Sequence, residues 1–159
     1  MERALRLEDI EPDIRNRAFE FFYWFSRFEF ALKENGLLKH DAPGSRAEPG
    51  WDEFITTHQA EYVLTDLASR LVQANPKRQI VGQHGLEFVP VGFDDQPSEL
   101  AKVVRLLKTV RNNLFHGGKH GADGWDDPQR TRHLLDLSIS ILDELAEVGG
   151  IDGDYKCYY

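Results

Sequence analysis

The run Phe19-Glu20-Phe21-Phe22-Tyr23-Trp24-Phe25-Ser26-Arg27-Phe28-Glu29-Phe30 constrains this chain more than any other feature. Pro12 suits a helix start and Asn35-Gly36 a helix stop, so the run lies within one helix from about Pro12 to about Asn35. At ~100° per residue its rings point in every direction and leave no wet face. Such a helix belongs at the centre of a bundle, or is buried in part by a second subunit. Arg27 and Glu29 interrupt it, and charges in these surroundings are costly unless paired. They either fix the packing through buried partners or support a functional site from behind.

The remaining chain supplies helices for it to pack against. Lys39 to Gly50 carries two Pro-Gly pairs and reads as a loop. A second helix is expected from about Trp51 to Gln73, on the spacing of Phe54, Ala60, Val63, Leu64, Leu67, Leu71 and Val72, and Asn75-Pro76 ends it. Residues 79–93 form short β-prone pieces broken by Gly and Pro, an irregular or hairpin insert. A third helix opens at Gln96-Pro97-Ser98-Glu99 and runs to His116, where Gly117-Gly118 stops it. Leu100, Val103, Leu107, Val110 and Leu114 are its core stripe. A fourth spans about Asp127 to Val148. The expectation is an all-α four-helix bundle with a small insert. A length of 159 residues suits a single domain. Gly149 to Tyr159 reads as a flexible tail whose tyrosines dock on a partner or fray.

Composition narrows the setting. Cys157 is the one cysteine, so one chain builds neither a disulfide nor a cysteine zinc site, which fits a reducing cytoplasm. The N-terminus is charged, and no stretch has the length of an uncharged membrane span. A net charge of -8 argues against a general nucleic-acid coat protein, whose affinity comes from neutralising phosphates. Locally the balance inverts: Leu100 to Ala122 holds no acid, yet contains Lys102, Arg105, Lys108, Arg111 and Lys119. This strip is either a localised anion site or a solvated helix face.

At its end stands Arg111-Asn112-Asn113-Leu114-Phe115-His116. By helical angle, Arg105, Lys108, Asn112 and His116 share a face, and Arg111 lies between that face and the core stripe. Arg111 and His116 are separated by roughly 140° and ~7.5 Å of rise. Their heads converge only through the reach of Arg, or across a subunit dyad that makes one composite pocket from two helix ends.

Those residue types suit phosphodiester chemistry. A guanidinium forks onto phosphate oxygens and stabilises charge developing there. An imidazole moves a proton to or from a ribose 2′-hydroxyl or the leaving 5′-oxygen. Asn112 can orient either group, Lys108, Arg105 and Lys119 add positive charge, and Gly117-Gly118 opens backbone N–H groups to a substrate. No metal or cofactor is required. A rival metal site from His116, His120, Asp123 and His133 is disfavoured because Gly117-Gly118 breaks the helix that would align the first two.

The block Val110-Arg-Asn-Asn-Leu-Phe-His-Gly-Gly-Lys119, with Phe25-Ser-Arg-Phe-Glu-Phe-Ala-Leu-Lys33 upstream and Asn75-Pro-Lys-Arg-Gln79 between, resembles the HEPN superfamily, specifically its plasmid-borne members. The resemblance spans most of the chain. It implies a dimeric four-helix domain whose Arg-x4-6-His motif forms a metal-independent endoribonuclease site across the interface, in a toxin-antitoxin or anti-phage setting. Arg111 and His116 match the motif, and Asn112 matches the polar residue that commonly follows the Arg. HEPN toxins paired with a nucleotidyltransferase antitoxin often carry a modifiable Tyr two residues after the His. Gly118 stands there instead, so that mode of neutralisation is not expected and any antitoxin remains open. A different class of function is a non-catalytic HEPN module that binds nucleotide or RNA, or only dimerises.

Overall fold

The computed structural model describes residues 6–95, 98–116 and 127–157. Its helices are α1 (Pro12–Glu34), α2 (Trp51–His58), α3 (Asp66–Ala74), α4 (Glu99–His116), α5 (Pro128–Val148) and α6 (Asp152–Lys156). An antiparallel hairpin of β1 (Arg78–Gly82) and β2 (Gly85–Val89) lies between α3 and α4. The all-α fold with a small hairpin insert is therefore as expected. The hairpin turns at Gln83-His84, and Gly85 at φ +125° takes a conformation that L side chains rarely adopt.

α1 buries Ile14, Ala18, Phe21, Phe25, Phe28, Ala31 and Leu32, a stripe spaced by three and four. α5 lies along it and is tied by Arg17 Nε to Asp136 Oδ1 at 2.8 Å and by Arg132 to Asp13 at 2.6 Å. α4 contributes Leu100, Val103, Leu107, Val110 and Leu114 to the same core, as their spacing implies. α1 is not wholly enclosed, since Phe19 is 71% and Tyr23 44% exposed. Among the described residues no helix is long and apolar enough to cross a membrane.

The expected helix from Trp51 to Gln73 is two helices. Residues 59–65 leave the helical path, Val63 turns out to solvent, and Thr65 starts α3 by accepting a hydrogen bond from Ala68 N at 3.1 Å. The Thr65 hydroxyl also donates to Glu144 on α5 at 2.7 Å. A threonine cap with a tertiary anchor outcompetes continuation through β-branched Val63 and Thr65, which the apolar spacing alone did not show. α2 packs against α4, and α3 against α4 and α5.

The tail also differs from expectation over residues 149–157. Gly150, at φ +64°, ends α5, and α6 turns back onto α1. A Cβ on Gly149 would stand 2.6 Å from the Phe54 ring, so that approach needs glycine. Tyr155 has no exposed surface, lies 5.0 Å from the Trp24 ring and 6.1 Å from Phe28, and donates its hydroxyl to Asp143 Oδ1 at 2.9 Å. Burial, with the Asp143 carboxylate, pushes its phenol above the ordinary tyrosine range and keeps the proton in place. The tyrosine docks on its own chain. Tyr158 and Tyr159 lie outside the described residues.

If α6 is part of the core, Tyr155→Ala should lower unfolding free energy by about 3–5 kcal/mol and Tyr155→Phe by about 1 kcal/mol. Denaturant titration checks this; a Tyr155→Ala protein as stable as wild type would return the tail to the loose state expected from sequence.

Candidate functional site

α4 carries the residues singled out by sequence. Ser98 Oγ accepts from Ala101 N at 3.2 Å and caps the helix start. Asn113 is 3% exposed, and its Nδ2 donates to the Lys77 carbonyl at 2.7 Å. That bond fixes the helix against the Asn75–Gln79 segment, so the second asparagine of the pair is structural. Asn112 is exposed and differs in role: its Oδ1 accepts from Arg111 Nε at 3.3 Å and Nη2 at 3.2 Å.

The Arg111 guanidinium sits 4.8 Å from the centre of the Phe25 ring, a cation–π contact that holds it against α1. Its hydrogen bonds go to Asn112, and it makes no ion pair among the described residues. His116 ends α4 and is exposed, 5.6 Å from the Phe115 ring. Phe115 is 66% exposed and meets Phe22 edge-on at 5.2 Å. The helix end thus rests on the aromatic face of α1 at two points, Phe22–Phe115 and Phe25–Arg111.

Beside it lies a cleft of about 520 Å³. α4 lines it with Lys108 and Arg111, the first turn of α2 with Trp51, Asp52 and Glu53, and α1 with Glu29. The loop closed by the Leu38–Pro49 bridge forms its outer wall and adds Lys39 and Glu48. Gly50 belongs there for room, since a Cβ would stand 2.7 Å from Leu38 N. Trp51 is stacked on Phe28 at 4.7 Å and donates Nε1–H to Glu29 Oε2 at 2.9 Å. Lys108 is half-buried, 5.4 Å from the Trp51 ring, and makes no hydrogen bond or ion pair among the described residues. Burial lowers its affinity for a proton below the ordinary lysine value. Arg111 and Lys39 push the same way, against the pull of Asp52 and Glu29.

The other expected site residues divide. Lys108 faces the cleft with Arg111. Arg105 does not: Asp95 takes its guanidinium at 2.8 and 2.9 Å, and the Gly92 carbonyl accepts a third bond at 2.7 Å. It ties down the chain leading into α4. Lys102 likewise meets Glu99 at 3.3 Å. Arg27 donates to the carbonyls of Asp154 and Tyr155 and stacks 4.3 Å from Phe30, so it secures α6 and is structural. Glu29 reaches the cleft. Gly117, Gly118 and Lys119 lie outside the described residues, as do His120 and Asp123 of the rival metal set. Among the described residues no three His, Cys, Asp or Glu side chains cluster as metal ligands.

No local sequence pattern marks Phe25, Trp51 or Asn113 as site residues. The aromatic pair reads locally as core, and its second use needs α4 to lie alongside. Asn113 carried a weak signal, as a polar residue one step from the Val110–Leu114 stripe.

Asp95, beside Arg105, is held below the ordinary carboxylate range, chiefly by the Arg105 hydrogen bond. A depressed native value means the pairing stabilises the fold above the unfolded aspartate value and is lost as pH falls through the native one. Asp95→Asn should therefore lower the melting temperature at neutral pH, and the gap to wild type should close on acidification through the carboxylate range. A gap independent of pH would show that charge is not its source.

No protein-family model, curated protein or solved structure matches the chain.

Proposed function

We propose that the chain is a metal-independent endoribonuclease of HEPN type, acting as a homodimer whose two α4 ends form one pocket. The observation that carries this is the state of Arg111. Its guanidinium is positioned by Phe25 and Asn112 and meets no carboxylate among the described residues, five residues from an exposed His116. An anion-binding fork held in place without a counter-ion is the arrangement a phosphodiester requires. The N-terminal half of the basic strip is ion-paired, through Lys102–Glu99 and Arg105–Asp95, whereas Lys108 and Arg111 make no ion pair among the described residues.

In this reading one His116 imidazole takes the proton of a ribose 2′-hydroxyl as its oxygen bonds to phosphorus. The bond to the 5′-oxygen breaks, that oxygen leaves with a proton from the second imidazole, and a 2′,3′-cyclic phosphate remains. Arg111 stabilises the charge on the phosphoryl oxygens. The dimer is supported by the exposed aromatics around the site: Phe19 and Tyr23 are neighbours on α1, and Phe115 projects beside Phe22. A toxin or anti-phage role, with or without an antitoxin protein, follows from the family resemblance. A second reading, a module that binds RNA or nucleotide without cutting, is favoured by the net charge of -8 and by the loss of Arg105 to Asp95.

Purified protein should cut single-stranded or structured RNA in the presence of EDTA and leave 2′,3′-cyclic ends. Arg111→Ala and His116→Ala should each lower the rate by at least about 100-fold without unfolding. A folded wild-type dimer that cuts no RNA would favour the binding module; cleavage abolished by EDTA and restored by zinc would overturn the metal-independent mechanism.

Phe19→Asp combined with Phe115→Ala should shift sedimentation from dimer to monomer and remove activity together. A wild-type monomer with full activity would rule out the composite site.

A further inference from the structure

The cleft between α1, α2 and α4 is separate from the exposed end that carries His116, yet Arg111 belongs to both. Its about 520 Å³ is within the ~300–1,000 Å³ of small-molecule sites. Both signs of charge line it: Lys108 and Arg111 from α4 and Lys39 from the loop, with Glu29 from α1, Glu48 from the loop end and Asp52 and Glu53 from the first turn of α2. Lys108 stands one turn before Arg111 and is half-buried without an acceptor among the described residues. That arrangement lowers its affinity for a proton, a cost that an anion at this place would relieve.

A polyphosphate would meet the carboxylates unfavourably, and a cationic ligand would meet the two bases of α4. The ligand that fits is anionic at one end and a hydrogen-bond donor at the other. Nucleotides whose base bears an exocyclic amine have that form. Carboxylates accept from such amines, as Glu and Asp do from cytosine N4, whereas uracil has no amine to offer.

We infer that this cleft is a base-selecting subsite for the nucleotide next to the cut, its phosphate on Lys108, beside the Arg111 that holds the phosphate being cleaved, and its exocyclic amine on the Asp52–Glu53 side. The inference rests on the RNA-cutting reading above for its place in the reaction. Lys108 is then a binding residue for a phosphate other than the one being cleaved, and Asp52 and Glu53 determine specificity. Guanine, whose N1–H and amine can fork onto one carboxylate, should bind tightest.

Calorimetry with GMP, CMP, AMP, UMP and inorganic phosphate tests the subsite without catalysis. GMP should bind at least about tenfold more tightly than UMP, the scale of one charge-assisted hydrogen bond, with inorganic phosphate weakest. Lys108→Gln should weaken every nucleotide by about tenfold. Asp52→Asn with Glu53→Gln should erase the preference over UMP while leaving UMP binding in place. Equal binding of UMP and GMP, or a Lys108→Gln protein that binds as wild type, overturns the inference. Sequencing of cleaved ends then separates the two readings. Nucleotide binding as expected with no RNA cut leaves the subsite standing and removes the ribonuclease; RNA cut without base preference, and unchanged in Lys108→Gln, does the reverse.

Discussion

The ring of Phe28 is the contact on which the rest of this molecule depends. It has no exposed surface and meets three rings from two elements: Trp51 of α2 stacked at 4.7 Å, Phe54 of α2 edge-on at 5.4 Å and Tyr155 of α6 edge-on at 6.1 Å. Each such aromatic pair adds about 0.5–1.5 kcal/mol beyond the area it buries. Through them α1 holds α2 on one side and α6 on the other. The position of Trp51 then sets the wall of the cleft and, through its indole N–H, the Glu29 carboxylate. The candidate site therefore inherits its shape from a core contact.

α4 answers two demands on one helix. Its Leu100–Leu114 stripe is fully committed to the core, while its opposite and flanking positions carry cations. Those cations are treated differently along its length. Arg105 is forked by Asp95, whereas Lys108 and Arg111 are kept near aromatic rings with no carboxylate partner among the described residues. An unpartnered, partly desolvated charge opposes stability, and stability-neutral selection alone does not favour keeping two of them together. Phe25 offsets part of this cost by about 0.5–2 kcal/mol, the range of a cation–π contact. The combination fits the proposed role of this surface in holding phosphate.

Much of the fold was legible because it is encoded by local rules. Pro12, Asn35-Gly36, Asn75-Pro76 and Pro128 mark helix ends that hold within a residue or two, and Gly-broken β-prone residues mark the hairpin. The misreadings arose where a distant partner decides a local choice. Thr65 breaks the second helix with Glu144 as anchor, and Tyr155 orders the tail with Trp24, Phe28 and Asp143 as its pocket. Within the site, spacing located Arg111, Asn112, Lys108 and His116 on one helix end, but not which cations are already satisfied, because Asp95 lies ten residues from Arg105 in an irregular stretch.

By itself the sequence determined an all-helical chain around an aromatic first helix, with a basic helix, free of acids from Leu100 onward, ending in Arg111 and His116. Periodicity and helix stops are properties of neighbouring residues, and those are written in order along the chain. Tertiary structure alone decided that Arg27 serves α6 while Glu29 serves the cleft, and that Arg105 is consumed while Lys108 is not. It also made Phe25 and Trp51 platforms for Arg111 and Lys108. Whether a charge is partnered depends on which side chains from other elements come within about 4 Å, and that distance exists only once the helices have packed.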